Sequence, residues 1–86
     1  MTNLLVFTVF DSKAGFYKSP FILRSKGEAL RAFQDIANDV QSDIGKHPED
    51  FILYLIAEYD ELTGVYLPKV HECLGKAIEY VVPKGA

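Results

Sequence analysis

Lys46 to Asp60 reads KHPEDFILYLIAEYD: a proline-containing polar turn, an almost unbroken apolar run and an acidic end. Residues 51–59 form the apolar run, with odd-numbered side chains on one face of an extended chain and even-numbered ones on the other. Because both faces are largely apolar, the run is typical of a strand that lies inside a sheet. It predicts the central strand, on which the preceding helix and the following hairpin are assembled.

The chain before this stretch predicts two extended segments. Leu4 to Asp11 is rich in β-branched and aromatic residues with two apolar faces, which places it inside a sheet or at an oligomer interface. Phe16 to Arg24 is also extended, and Pro20 makes it an edge strand or a bulged strand because proline cannot donate to a ladder. We expect these two segments to pair.

A helix is predicted next, followed by a loop. Ser25 to Glu28 fits a capping box, and apolar residues then recur at helical spacing to about Val40. Gln41 to Glu49 carries Ser, Asp, Gly and Pro, which indicates a long loop with Ile44 folded back as an anchor.

The C-terminal third of the sequence predicts a hairpin, followed by a tail that could be a helix or a strand. Asp60 to Gly64 reads as a hairpin loop with its glycine in the left-handed region, and Val65 to Leu67 as a returning strand that Pro68 limits. Residues 70–82 carry both a helical stripe and a strand-like alternation. Of the two, we favour a short helix that ends near Tyr80.

The order of elements is therefore β-β-α-β-β, followed by a short helix or strand. It predicts an α+β fold: a small antiparallel or mixed sheet with one amphipathic helix packed on one face. The chain has 86 residues, of which 49% are hydrophobic and 24% charged, which suits a single globular domain over residues 1–86.

Composition and charge exclude several classes of protein. The single cysteine, Cys73, cannot close an intramolecular disulfide, which fits the cytoplasm, and the N-terminal apolar run is too short for a membrane span and unlike a secretory signal. A formal charge of −3 argues against a strongly basic nucleic-acid or membrane binder. The charge is nevertheless polarised: residues 1–31 hold five basic and two acidic side chains, whereas residues 32–63 hold one basic and eight acidic.

Catalytic and cofactor patterns are not found. His47 and His71 lack partners at metal-ligand spacing, and Ser12 and Ser42 each neighbour an aspartate but no histidine. The glycines are scattered singly, so they form no phosphate-binding loop. We therefore expect no enzyme activity, metal, cofactor or small-molecule substrate.

Cations and aromatic rings alternate in one part of the chain, a pattern that favours contact with single-stranded nucleic acid. Rings stack on unpaired bases, and cations attract the backbone phosphates. The alternative interpretation is that Phe16 and Phe21 belong to the core and Tyr17 lies at a strand edge. The candidate contacts are Lys13, Phe16, Tyr17, Lys18, Arg24, Lys26 and Arg31.

Several short motifs together resemble a known family. They are Asp11-Ser12-Lys13-Ala14, Ser19-Pro20-Phe21, Gly27-Glu28-Ala29, Lys46-His47-Pro48-Glu49-Asp50-Phe51, and Ala57-Glu58-Tyr59-Asp60 with Thr63-Gly64. From about Leu4 to Gly64 the chain resembles the small nonstructural protein of gokushoviruses, the single-stranded-DNA microviruses of bacteria. The resemblance implies a non-virion protein of the host bacterial cytoplasm that binds DNA, and that assists genome replication or the switch to single-strand synthesis and packaging.

Two functions stay open at this point. The first is a DNA-binding replication accessory protein that acts as a homodimer or higher oligomer, since apolar residues occupy both faces of the first strand. The second is a protein–protein adaptor or scaffold that acts on the phage replication or assembly machinery without touching DNA. The acidic middle of the chain and the negative net charge favour the second.

Overall fold

A computed structural model describes residues 3–83 of the chain. Its elements are β1 (Asn3–Asp11), β2 (Phe16–Tyr17), β3 (Phe21–Leu23), α1 (Lys26–Ala37), α2 (Asp43–Lys46), a 3-10 turn (Pro48–Asp50), β4 (Phe51–Asp60), β5 (Val65–Lys76) and a second 3-10 turn (Ala77–Tyr80). The five strands form one antiparallel sheet in the order β2-β1-β4-β5, with β3 also paired to β1. The predicted α+β fold is confirmed. No helix among residues 3–83 is long and apolar enough to cross a membrane.

β1 and β4 are the interior strands of the sheet. β4 pairs with β1 on one side and with β5 on the other, so the prediction of a central strand after the His-Pro-Glu-Asp turn is confirmed. β1 lies between β4 and the short strands β2 and β3. It is therefore inside the sheet, which is one of the two positions predicted for it. The extended segment that contains Pro20 pairs with β1 as expected, but it is interrupted into those two short strands.

The hydrophobic core lies between α1 and one face of the sheet, which we call the helix side. Leu53 and Phe7 are fully buried there, and Ile44 is buried as the predicted anchor. The surrounding segment is not a plain loop, however, because the Ser42 hydroxyl accepts a hydrogen bond from the Gly45 amide and caps α2. The buried cluster consists of Phe7, Val9, Ala29, Phe33, Ala37, Ile44, Phe51, Leu53, Leu55 and Ala77.

Helix α1 begins and ends through side-chain hydrogen bonds. The Ser25 hydroxyl accepts from the Glu28 amide as predicted, whereas the Glu28 carboxylate accepts from the amide of Arg24 and not from that of the cap residue. The helix ends at Ala37, short of Val40, because the Asn38 side chain bonds to the C-terminal segment. Its amide nitrogen donates to the Tyr80 carbonyl and its oxygen accepts from the Val82 amide.

The predicted C-terminal helix is wrong. β5 continues through Pro68 to Lys76, and a 3-10 turn follows it. Proline is tolerated because β5 is an edge strand, and pairing with β4 satisfies backbone groups that a helix would otherwise have to satisfy. The preceding hairpin loop agrees with prediction, since Gly64 has φ 74° and its amide donates to the Asp60 carbonyl at 2.7 Å.

Gly45 is required by a close approach of backbone to backbone. A methyl group at this position would overlap the carbonyl of Asp39. We expect Gly45→Ala to lower the free energy of unfolding by about 1–3 kcal/mol, measured by urea denaturation. Gly27→Ala is the matched control: a methyl there meets only the Ser25 hydroxyl at 3.8 Å, and stability should rise by about 0.4–1 kcal/mol. A Gly45→Ala variant as stable as the wild type would contradict the close approach.

Candidate nucleic-acid interface

The basic residues proposed as nucleic-acid contacts meet the acidic segments of the chain in the fold. Three of them form ion pairs at the surface, and Lys13 in the β1–β2 turn and Arg31 on α1 are exposed. Each of these pairs draws a cation toward a carboxylate and reduces its availability for phosphate. The pairs are Lys18 with Asp43 (3.9 Å), Arg24 with Glu61 (3.6 Å) and Lys26 with Glu72 (2.8 Å).

The two adjacent aromatic residues of β2 point to opposite sides of the sheet. Phe16 lies across from Asp11, whereas Tyr17 lies across from Phe10, and neighbouring residues of a strand alternate between faces. Both rings are about half exposed. Tyr17 therefore belongs to the face of the sheet away from α1, which we call the open face.

An aromatic cluster from four strands occupies this end of the open face. The ring of Tyr17 lies 4.6 Å from that of Phe10, 6.2 Å from that of Tyr54 and 5.7 Å from that of His71, measured between centroids. The rings of Tyr54 and His71 are 5.9 Å apart. We call Phe10, Tyr17, Tyr54 and His71 the aromatic cluster. Only Tyr17 of these four is among the residues predicted from the sequence.

A second pair of rings lies at the other end of the open face, where β4 pairs with the start of β5. The ring centroids of Tyr59 and Tyr66 are 5.0 Å apart. Alternation along the sequence predicts Tyr59 on the same face as Leu53, and this is wrong. The pairing of β1 with β4 shifts between Val6 and Phe7, and the extra β4 residue moves Tyr59 across from Leu4, onto the open face.

The open face differs from the helix side in charge. Each acidic residue of the described strands is paired with a strand residue whose side chain lies on the helix side, so its own side chain lies there too. These residues are Asp11, Glu58, Asp60 and Glu72. Lys76 lies across from Ile52 and shares the open face with His71. Within the five described strands, therefore, the open face carries cationic or neutral side chains and no carboxylate.

The pKa values of Tyr54 on the open face and Glu58 on the helix side are both shifted, and the shifts keep the first side chain neutral and the second one ionised. Burial raises the pKa of the Tyr54 phenol, with smaller contributions from Cys73 and Tyr17, so the hydroxyl stays neutral at pH 7. Hydrogen bonds from Asn3 and then Lys69 lower the pKa of Glu58. That carboxylate is therefore kept ionised, on the helix side of the sheet.

The His-Pro-Glu-Asp turn has a structural role that the spacing of its residues does not indicate. The carbonyl of Asp50 accepts hydrogen bonds from both the amide (2.8 Å) and the hydroxyl (2.9 Å) of Ser12. The turn thus attaches the start of β4 to the β1–β2 turn. It also brings possible ligand atoms of His47, Glu49 and Asp50 within 4.8 Å of one another, although the sequence predicts that His47 is solitary. Such exposed groups are common on protein surfaces without an ion.

A comparison with protein families gives a match. Residues 4–80 match the model of a family described as Phage ORF5 protein, and this range includes every element from β2 to the second 3-10 turn and all but the first residue of β1. No curated protein and no solved structure matches the chain.

Proposed function

The chain belongs to the phage ORF5 protein family, and on this premise we propose that it is a nonstructural protein of a gokushovirus that binds single-stranded DNA in the cytoplasm of the infected bacterium. In this role it assists replication of the viral genome, or the switch to single-strand synthesis and packaging. It acts by binding and not by catalysis, without a metal or cofactor.

The aromatic cluster on the open face is the observation that carries this proposal. Unpaired bases stack on exposed rings whatever their sequence, and each stacked base contributes about 1–3 kcal/mol to binding. Tyr17 presents its ring to solvent and packs on half-buried Tyr54, which holds it in place. The five described strands place no carboxylate on this face, which reduces local repulsion of the phosphates even though the net charge of the chain is −3.

Self-association belongs to the same proposal. With Lys18, Arg24 and Lys26 in ion pairs, one copy is expected to bind a single strand weakly. Several copies on one strand raise the overall affinity through effective concentration. The edge strand β5, with Val70 93% exposed and Val65 and Leu67 about half exposed, is the surface that favours contact between copies. Sedimentation that shows only monomer, with and without DNA, would contradict this part.

Fluorescence anisotropy with a labelled thymidine oligonucleotide tests DNA binding. We expect binding at about 50 mM salt, and a weak dependence of affinity on salt. With Lys18, Arg24 and Lys26 in ion pairs, we expect about two phosphates to be neutralised, so log K should fall with log salt at a slope of about −1.4. A slope near −3 would instead indicate that the ion pairs break on binding.

No binding at about 50 mM salt would overturn the proposal and favour the second hypothesis, an adaptor or scaffold for phage replication or assembly proteins. Duplex DNA of the same length is the control, because its stacked bases cannot reach the rings of the open face. We expect it to bind more weakly than the single strand.

A further inference from the structure

We propose that Tyr59 and Tyr66 form a second base-stacking platform, so that one DNA single strand lies lengthwise along β4 between this pair and the aromatic cluster. The inference rests on the proposed function and adds to it a second contact, the direction of the strand and a minimum length of DNA.

The two platforms are built alike. In the aromatic cluster, Tyr17 is 48% exposed and packs on half-buried Tyr54, and at the other end Tyr66 is 56% exposed and packs on half-buried Tyr59. Tyr59 of β4 supports Tyr66 on the adjacent strand β5. Tyr17 lies on β2, with β1 between it and β4, and its ring packs on Phe10 of β1 (4.6 Å) as well as on Tyr54. A ring that is held in place loses little conformational entropy when a base stacks on it.

The surface between the platforms permits a strand to pass. Val6 and Ala57 are buried, and the hydroxyl of buried Thr8 already donates to the carbonyl of Lys18. These residues of β1 and β4 lie beneath the surface of the open face, and none of them places an ionised side chain under a passing strand. Lys69, on the adjoining part of β5, is engaged by Glu58 at 3.2 Å on the helix side.

The separation of the platforms sets the length of DNA. Tyr54 and Tyr59 are five positions apart on β4, one of them taken up by the bulge, which corresponds to about 15 Å at 3.3 Å per residue. About four nucleotides span this distance at the spacing of a stacked strand. An oligonucleotide that reaches both platforms therefore needs about four to six nucleotides.

The occupant is DNA and not a second copy of the chain, because of the chemistry of the surface. Both platforms offer exposed ring faces on a carboxylate-free sheet face that also bears Lys76 and His71. A second copy that used the same face would bring Lys76 of each chain onto a surface without an acidic partner. The phosphates of a single strand supply that negative charge.

The test compares Tyr66→Ala on a long thymidine oligonucleotide of about twelve nucleotides and a short one of about three. We expect the variant to bind the long oligonucleotide about 5- to 150-fold more weakly than the wild type, and the short one within about twofold, because the short one is held by the aromatic cluster alone. Tyr66→Phe should restore binding of the long oligonucleotide. Leu62→Ala is the control, since Leu62 lies in the β4–β5 loop, is 78% exposed and belongs neither to a platform nor to the edge of β5.

Each outcome decides the matter. If the wild type binds and Tyr66→Ala behaves like Leu62→Ala on the long oligonucleotide, the second platform is wrong while the proposed function stands. If Tyr66→Ala weakens the short and long oligonucleotides equally, the strand does not lie along β4. If the loss of binding is accompanied by a change from oligomer to monomer in sedimentation, the pair is a contact between copies. If the wild type binds no DNA, the proposed function itself fails.

Discussion

Replacing Leu53 by alanine is expected to lower the free energy of unfolding by about 2–5 kcal/mol. Leu53 is fully buried in β4, across from Val9 on one side and Gly75 on the other. Truncation removes apolar contacts and leaves a cavity that the interior of the sheet cannot close by relaxing. The total stability of a domain of this size is about 4–13 kcal/mol, so the variant should lose a large part of it.

Urea denaturation followed by far-UV circular dichroism measures this change. Leu62→Ala is the matched control, because Leu62 lies in the β4–β5 loop and is 78% exposed, and the same truncation there should change stability by less than about 0.5 kcal/mol. Equal losses for the two variants would mean that β4 is not the strand on which the core is built.

The second large effect is on DNA binding, where Tyr17→Ala should weaken the affinity for single-stranded DNA by about 1–3 kcal/mol, or about 5- to 150-fold. Phe16→Ala should change it by less than about twofold, although both residues are equally plausible contacts from sequence alone and their exposures are similar. The difference follows from the alternation of β2, which directs Tyr17 onto the aromatic cluster and Phe16 to the other side.

Tyr17→Phe distinguishes stacking from hydrogen bonding through the hydroxyl, and we expect it to retain wild-type affinity to within about twofold. Anisotropy titrations of all three variants at one salt concentration, with circular dichroism to show that each is folded, give the comparison. If Phe16→Ala and Tyr17→Ala weakened binding equally, the DNA would follow the sequence segment 13–26 and not the open face.

The proposed site lies close to the segment that the sequence indicates but is composed differently. Of the nucleic-acid contacts that the alternation of cations and rings in Lys13 to Lys26 predicts, Tyr17 lies in the aromatic cluster. Phe10 and Tyr54 lie in largely apolar strands, where the sequence does not distinguish them from core residues. His71 lies in the tail, whose conformation the sequence does not determine. The signal that could have indicated Tyr54 is its place among the even-numbered residues of β4, the face that α1 does not cover.

Local chemistry determined much of the fold. Three features act over only a few residues: the apolar run of β4, the serine at the start of α1 and the glycine that closes the β4–β5 loop. Their effects can therefore be predicted from neighbouring residues in the sequence. The tail could not be read in this way. Its helical and strand-like patterns compete, and the choice depends on whether β4 offers it a free edge.

The sequence by itself determined that Lys46 to Asp60 contains a turn and an interior strand, because hydrophobic periodicity and turn chemistry are local properties. Only the tertiary structure decided which side chains each face of that strand presents and which residues of other strands they contact. One extra residue after Leu55 moves Tyr59 to the open face, and pairing with β1 and β5 brings Phe10 and His71 beside Tyr54. Folding also brings Lys26 into an ion pair with Glu72, 46 residues away. Such contacts depend on register and on distance in space, which composition and spacing along the chain do not encode.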